Sequence, residues 1–350
     1  MSEVSTRTRD VLNTAGESAP VPLIDTFGRA ITYLRLSVTD RCDLRCTYCM
    51  PERMTFLPKR EVLSLEELFN LATGFIERGV TKIRITGGEP LVRRDIIGLF
   101  EALGQRLGRG LEELTLTTNA TQLAVHADAL FKAGVRRVNI SLDTLDRTRF
   151  AELTRRDALP QVLDGIAAAQ EAGLRVKLNA VALKGVNEHE LPDLIAWAHG
   201  RGCDVTLIEV MPLGDVEEDR LDQYLPLSAV RARLEQRWTL RDTTEQTGGP
   251  ARYVDVADTG GRLGLITPHT NNFCDGCNRL RVTATGQLYP CLGGGERVDL
   301  RAALRGDDPQ LELAAALDKT MLIKPERHNF RMDERGLAPH LPRHMSMTGG

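Results

Sequence analysis

The amino-acid sequence predicts an α/β fold: a partial TIM-like barrel of six strand–helix units, followed by a smaller C-terminal region. Two observations lead there. From about Ile31 to Met211, short segments of period two alternate with segments of helical period, the pattern left by parallel crossovers in open sheets and barrels alike. In addition, nearly every one of these strands is polar or cationic on one face. A parallel strand covered by helices on both sides should be apolar on both, and burying the polar face under helices would be costly. A barrel with a wet lumen around a polar ligand resolves the conflict; irregular strands with a solvated face are the alternative.

The six predicted strands are "TYLRLSVT", "TKIRITGG", "ELTLTTN", "RRVNISLD", "LRVKLNAVAL" and "DVTLIEVMP". Leu34, Leu36 and Val38 alternate with Tyr33, Arg35, Ser37 and Thr39; Ile83 and Ile85 with Lys82, Arg84 and Thr86; Val176 and Leu178 with Lys177 and Asn179. Among the intervening helices, Ser64 and Glu67 have capping-box spacing, with Leu65, Leu68, Ala72, Phe75 and Ile76 on the apolar face and Gly79 as the stop. "DIIGLFEALGQRLG" and "LPQVLDGIAAAQEAG" read the same way. Unusual residues follow the strands: a cysteine cluster, "GGEP", Thr118-Asn119 and Ser141-Leu142-Asp143. The carboxyl ends of strands are where α/β folds place their chemistry.

The composition is that of an ordinary globular enzyme, with 42% hydrophobic and 27% charged residues. A net charge of −3 gives no bias toward nucleic acid or membrane, and no apolar run is long enough to span a bilayer. Residues 1–30 read as a flexible leader of a cytoplasmic protein, 31–245 as the barrel, 246–325 as the C-terminal region and 326–350 as a tail ending in Gly349-Gly350. "GDVEEDRLDQ" reads as an acidic loop.

Six of the seven cysteines form two trios more than two hundred residues apart, Cys42, Cys46 and Cys49, and Cys274, Cys277 and Cys291. A secreted disulfide framework is normally even in number and belongs to a short chain; these look like ligand sets. Cys203 reads as a small buried residue. The first trio is C-x3-C-x2-C. A structural zinc site wants four ligands, and so usually does a [4Fe–4S] cluster. Three suggest an iron left open to a non-protein ligand. In the second trio the C-x2-C pair alone reads equally as half a zinc site or as a redox pair, and His269 as a fourth ligand would complete a zinc ribbon.

C-x3-C-x2-C after the first strand, with "GGEP" after the second, resembles the radical S-adenosylmethionine (SAM) enzymes. The resemblance implies that Cys42, Cys46 and Cys49 hold a [4Fe–4S] cluster whose open iron binds SAM. It implies that Gly87, Gly88 and Glu89 hold the methionine amino group and that Tyr48 lies near the adenine; Thr117, Ser141 and Met211 complete the SAM site. SAM is then cleaved to methionine and a 5′-deoxyadenosyl radical. "LRLSVTDRC", "KIRITGGEPLVRRD", "NISLDTL", "FCDGCNRLRVTATGQLYPCL" and "MSMTGG" are similar to signatures of the branch of that family that acts on GTP in molybdenum cofactor biosynthesis. That branch implies a second [4Fe–4S] cluster on Cys274, Cys277 and Cys291, carried by the smaller C-terminal domain. It implies a GTP site made by Arg35, Lys82, Arg84, Lys177, Arg279 and Arg281, with Arg35, Arg279 and Arg281 nearest the chemistry, and a Gly-Gly tail that enters the active site. Thr206 departs from the branch, which often carries arginine there, and puts one phosphate contact in question. Implied partners are GTP, SAM, an electron donor such as flavodoxin or ferredoxin, a cyclic pyranopterin monophosphate synthase that takes the product, and a second copy in a homodimer; nucleic acid and membrane are not expected. The competing readings are another twin-cluster radical SAM enzyme that modifies a peptide, and a zinc-binding or electron-transfer protein on an α/β scaffold.

Overall fold

The computed structural model describes residues 21–214, 222–245, 247–269, 273–330, 341 and 343–349. Most of the leader, seven residues of the acidic loop and Gly350 lie outside them. The predicted strands appear as β1 (Tyr33–Ser37), β2 (Lys82–Thr86), β3 (Glu113–Thr118), β4 (Arg137–Ser141), β5 (Arg175–Ala182) and β6 (Asp204–Glu209). The helices between them are α1 (Leu65–Glu77), α2 (Ile96–Gly104), α3 (Leu123–Lys132), α4 (Arg147–Thr154), α5 (Leu159–Glu171) and α6 (Leu191–His199). After β6 come α7 (Leu227–Leu234), β7 (Leu240–Asp242), β8 (Arg252–Val256), β9 (Gly261–Ile266), β10 (Arg279–Val282), β11 (Gln287–Tyr289) and β12 (Val298–Asp299). The chain then forms α8 (Leu300–Leu304), α9 (Pro309–Ile323) and the single turn α10 (Met345–Thr348).

Helix α1 begins as its sequence dictates. Ser64 Oγ accepts from the Glu67 amide at 3.1 Å, and Glu67 Oε2 accepts from the Ser64 amide at 2.7 Å, so two otherwise unpaired amides are satisfied reciprocally. Gly79 follows the last turn at φ 87°. Helix α2 stops at Gly104, earlier than its apolar periodicity suggests.

All described strands join one sheet in the order β12-β11-β10-β1-β2-β3-β4-β5-β6-β9-β8-β7. Strands β1 to β6 are parallel neighbours, β10 pairs parallel on the free edge of β1, and β9 pairs parallel on the free edge of β6. The C-terminal region therefore extends both edges of the barrel rather than building a separate sheet. The end strands β12 and β7 do not pair with each other among the described residues, so the barrel stays open.

The apolar strand faces make the core. Leu34, Leu36, Ile83, Ile85, Leu116, Ile140, Leu178 and Leu207 are buried in one cluster with Phe75, Phe100, Leu130, Ile166 and Ile195 from the helices. The opposite face lines the lumen. Residues 21–30, read from sequence as the end of a leader, pack on the body instead. Leu23 is buried, its amide bonds the Arg78 carbonyl at 3.2 Å, and Asp25 accepts from the Phe27 and Arg29 amides. A short polar segment gives no periodicity from which that docking could be read.

Helices α3 and α5 meet at Gly165, where a Cβ would stand 2.3 Å from the Ala120 carbonyl oxygen. Alanine improves helix propensity, but here the steric cost wins. Gly165→Ala is expected to lower stability by about 1–3 kcal/mol, read as an earlier urea unfolding midpoint.

Candidate functional site

Two adjoining cavities occupy the lumen. The first is lined by Cys42, Cys46, Tyr48, Cys49, Gly87, Gly88, Thr117, Ser141 and Met211 among others. The second is lined by Cys274, Cys277, Cys291 and the cations Arg35, Arg84, Lys177, Arg279 and Arg281. Asn179, Ile208 and Met211 belong to both walls. The structure thus brings the two trios, far apart in sequence, onto one continuous space.

The first trio sits on the loop after β1. Arg45 holds that loop by donating to the carbonyls of Cys42 and Leu44, and the Cys49 amide bonds the Cys46 carbonyl at 2.9 Å. The glycines of "GGEP" lie against the same loop: the Gly88 amide bonds the Thr39 carbonyl at 2.9 Å. A Cβ on Gly87 would lie 2.5 Å from the Thr39 oxygen, and one on Gly88 2.3 Å from the Arg41 oxygen. Only glycine permits that approach. Glu89 is placed differently from the expectation. Its carboxylate is fully buried and accepts from Thr118 Oγ1 at 2.8 Å and the amides of Leu91 (3.0 Å) and Asn119 (2.6 Å). It braces the loop after β2 against the end of β3 from behind, and of the motif only Gly87 and Gly88 line the cavity. Burial pushes Glu89 up to about 7, against those hydrogen bonds.

Tyr48 does line the cavity, and its hydroxyl donates to Asp143 Oδ2 at 2.6 Å. The other oxygen of Asp143 accepts from the Val181 amide at 2.8 Å. Burial raises Asp143 to about 6. Asp143 therefore fixes the aromatic ring beside the cysteines, a role invisible in sequence because its partner is 95 residues away.

The cations form rows by strand register. Arg281, Arg35 and Arg84 are direct neighbours across β10, β1 and β2, and Arg279, Tyr33 and Lys82 make the row below. Like charges directly opposite one another destabilise a sheet. Burial, followed by Arg35 and Arg279, takes Arg281 well below its ordinary value, and burial first brings Arg35 down to about 10. Lys82 differs from the others: it pairs with Glu113 at 2.7 Å and bonds the Thr247 carbonyl. Tyr33 carries these cations over its ring, Lys82 at 5.0 Å and Arg84 at 5.6 Å. Arg84 Nε, Asn139 Oδ1, Thr117 Oγ1 and Thr206 Oγ1 are buried without a hydrogen-bond partner among the described residues. Such a surface suits a polyanionic, hydrogen-bonding ligand. Thr206 is fully buried opposite Gly264, whose Cβ would lie 2.8 Å from Thr206 Oγ1, so this wall is closed where the resemblance allowed an arginine.

The tail enters the same space. The Gly349 carbonyl accepts from Arg281 at 2.8 Å and from Arg35 at 3.5 Å, while Met345 and Ser346 line the first cavity. A Cβ on Gly349 would lie 2.1 Å from Thr86 Oγ1.

Both trios fit iron–sulfur clusters better than a single ion. All seven cysteines are free. Among the described residues, no three His, Cys, Asp or Glu side chains stand close enough to chelate one metal ion. His269, the candidate zinc ligand, turns its Nε2 to the Val210 carbonyl at 2.9 Å. Burial raises the Cys277 thiol, but Arg279 and Lys324 outweigh it and bring it to about 7. Cys203 is buried away from both trios, as expected.

Residues 36–198 match the Radical SAM superfamily and residues 203–330 match Molybdenum Cofactor Synthesis C. A GTP 3′,8-cyclase of Erythrobacter litoralis is 73% identical over 94% of this chain and 98% of its own length. The chain belongs to the GTP 3′,8-cyclase family. A second member, from Rhizobium etli, is 58% identical over 97% of this chain and 99% of its own. The fold is shared more widely. Streptococcus suis SuiB bound to S-adenosylmethionine superposes with a TM-score of 0.58 at 18% identity, covering 80% of this chain and 65% of that one. Native anSMEcpe with bound AdoMet gives 0.55 at 15% identity, covering 83% and 82%. Like other members of the cyclase family, the chain uses SAM and iron–sulfur clusters.

Two outcomes follow from this geometry. Cys46→Ala and Cys277→Ala should each lose roughly half of the bound iron, since the trios line separate cavities and each [4Fe–4S] cluster holds four irons. Iron analysis and the electron paramagnetic resonance (EPR) spectrum of each reduced variant check this. The second concerns Lys177. Burial, followed by Arg84 and Arg137, brings it down to about 7. A triphosphate favours its charged form, so binding takes up a proton at and above pH 7, and affinity should weaken as pH rises, by at most tenfold per unit. Lys177→Arg, always charged, should flatten that part of the profile in calorimetric titrations with GTP.

Proposed function

We infer that this chain converts GTP to (8S)-3′,8-cyclo-7,8-dihydroguanosine 5′-triphosphate, the first step of molybdenum cofactor biosynthesis. The observation that carries this reading is the belt of buried arginines that lines one cavity with the second cysteine trio, next to the cavity that holds the first. Cys42, Cys46 and Cys49 would hold a cluster that, on receiving one electron from outside, would cleave bound SAM to methionine and supply a 5′-deoxyadenosyl radical able to take the hydrogen from ribose carbon 3′.

The residues present do the placing. Arg281, Arg35 and Arg84 form a row whose mutual repulsion an anionic substrate relieves; guanidinium forks match phosphate oxygens. Lys177 adds a charge on the far wall. Lys82, held by a Glu113 carboxylate that it shares with Arg137, supports the row rather than completing it. Arg279, with its guanidinium 3.9 Å from Cys277 Sγ, sits where the base of the nucleotide meets the second trio. Tyr48, held by Asp143, and the backbone of Gly87 and Gly88 form the SAM side, with Thr117, Ser141 and Met211. Buried walls exclude water, which a primary carbon radical requires.

In this reading the barrel runs through about residue 245 and the second cluster lies in 246–325. A flavodoxin or ferredoxin supplies the electron, the product passes to a cyclic pyranopterin monophosphate synthase, and the chain works as a cytoplasmic homodimer. Free cysteines throughout suit a reducing compartment. Among the described residues no helix is long and apolar enough to cross a membrane.

Anaerobically reconstituted protein, given SAM and a strong reductant, should form 5′-deoxyadenosine in a GTP-dependent manner, with a cyclised nucleotide appearing in step. Deoxyadenosine that ignores GTP would point to another substrate. Arg281→Ala should lower kcat/KM for GTP by about 10- to 100-fold, the worth of a charged hydrogen bond, with iron content unchanged.

A further inference from the structure

The second trio is enclosed by two cations that belong to neither its loop nor the arginine belt. Arg29, ahead of β1, donates to the Cys274 carbonyl at 2.9 Å and to the carbonyls of Glu326 and Pro325 at 2.7 Å each. Its charge is cancelled locally by Asp25, at 2.6 Å and fully buried. Lys324, just past α9, is 3% exposed. Its ammonium donates to the Pro290 carbonyl at 2.8 Å, to the Arg279 carbonyl at 3.2 Å and to Cys277 Sγ at 3.6 Å. It thereby ties the backbone next to Cys291 to the strand that follows Cys277. Among the described residues no carboxylate pairs with Lys324.

A buried cation without a counter-ion is expensive. The groups nearest Lys324 that can carry negative charge are thiols of the trio itself. Arg29, paired with Asp25, acts mainly as a strap. Lys324 stands with Arg279 as the positive charge beside Cys277.

We propose that Lys324 is a positioning residue for the second cluster, joining two of its ligand segments and holding a fixed positive charge that favours the reduced, more negative form of the cluster. The proposal rests on the reading of Cys274, Cys277 and Cys291 as iron–sulfur ligands. Adding one electron to a cluster beside an unscreened cation is easier than adding it beside a neutral side chain. Nothing in the proposal requires Lys324 to touch the substrate, and it lines neither cavity.

The test uses full-length protein in which Cys42, Cys46 and Cys49 are changed to alanine, so that only the second trio can hold a cluster. Lys324→Met and Lys324→Arg are made in that background and reconstituted with iron and sulfide. Iron is counted, and the potential is read by EPR-monitored redox titration. The expected result is that the Met variant is roughly tenfold harder to reduce, about 59 mV more negative for one electron, while the Arg variant stays near the parent. Loss of iron in the Met variant alone also supports the assignment. A Met variant with the parent's iron and potential overturns it, as do Met and Arg variants that both lose their iron. A parent that holds no iron overturns the reading of the trio instead.

Discussion

Arg281, Arg35 and Arg84 stand side by side on three paired strands, and no helix packed on that face could hold them. Three guanidiniums in a row repel one another and lose hydration on burial. The arrangement is tolerable only if the face encloses a space that an anion enters. The curl of the sheet, the lumen and the polar strand faces all answer to that one requirement. The apolar faces carry the opposite demand, since leucine and isoleucine on β1 to β6 pack under the helices and contribute the burial that offsets it.

The same constraint explains the parts that close the lumen. Cys274 and Cys277 lie just before β10 and Cys291 just after β11, and β10 carries Arg279 and Arg281 into register with β1. One strand therefore positions a cluster site and completes the cation rows. The tail meets this belt through a backbone carbonyl, on Arg281 and Arg35. That contact offers partial negative charge without a side chain's bulk, in a place where Thr86 leaves no room for a Cβ at Gly349.

Alternation made β1 to β6 legible in the sequence, because Leu34-Arg35-Leu36 and Ile83-Arg84-Ile85 state which side is core and which is lumen. The cysteine trios and the glycine pair were legible for a chemical reason: few other tasks need those residues at those spacings. What could not be read was whatever depends on distant partners. Glu89 belongs to a motif, yet its role as a brace emerges only once Thr118 and the Asn119 amide are seen around it. Asp143 stands out by its place after a strand, but its partner does not show until Tyr48 reaches it. Arg29 sits in a stretch with no periodicity, and Lys324 ends an ordinary helix. The placement of β9 and β10 on opposite edges of the barrel is likewise a matter of long-range pairing, which short strands of ambiguous pattern do not announce.

That placement bears on how the chain is made. Until β10 has been synthesised, the outer edge of β1 has no partner, and until β9 has been synthesised neither has β6. Emerging from the ribosome, the first half is a curved sheet with two open flanks, the kind of surface that recruits stray strands. Its lumen is also reachable from the side throughout that interval. Closure comes late, from the last third of the chain, and the partly built barrel is then both most vulnerable to misassembly and most accessible to whatever delivers its inorganic cargo.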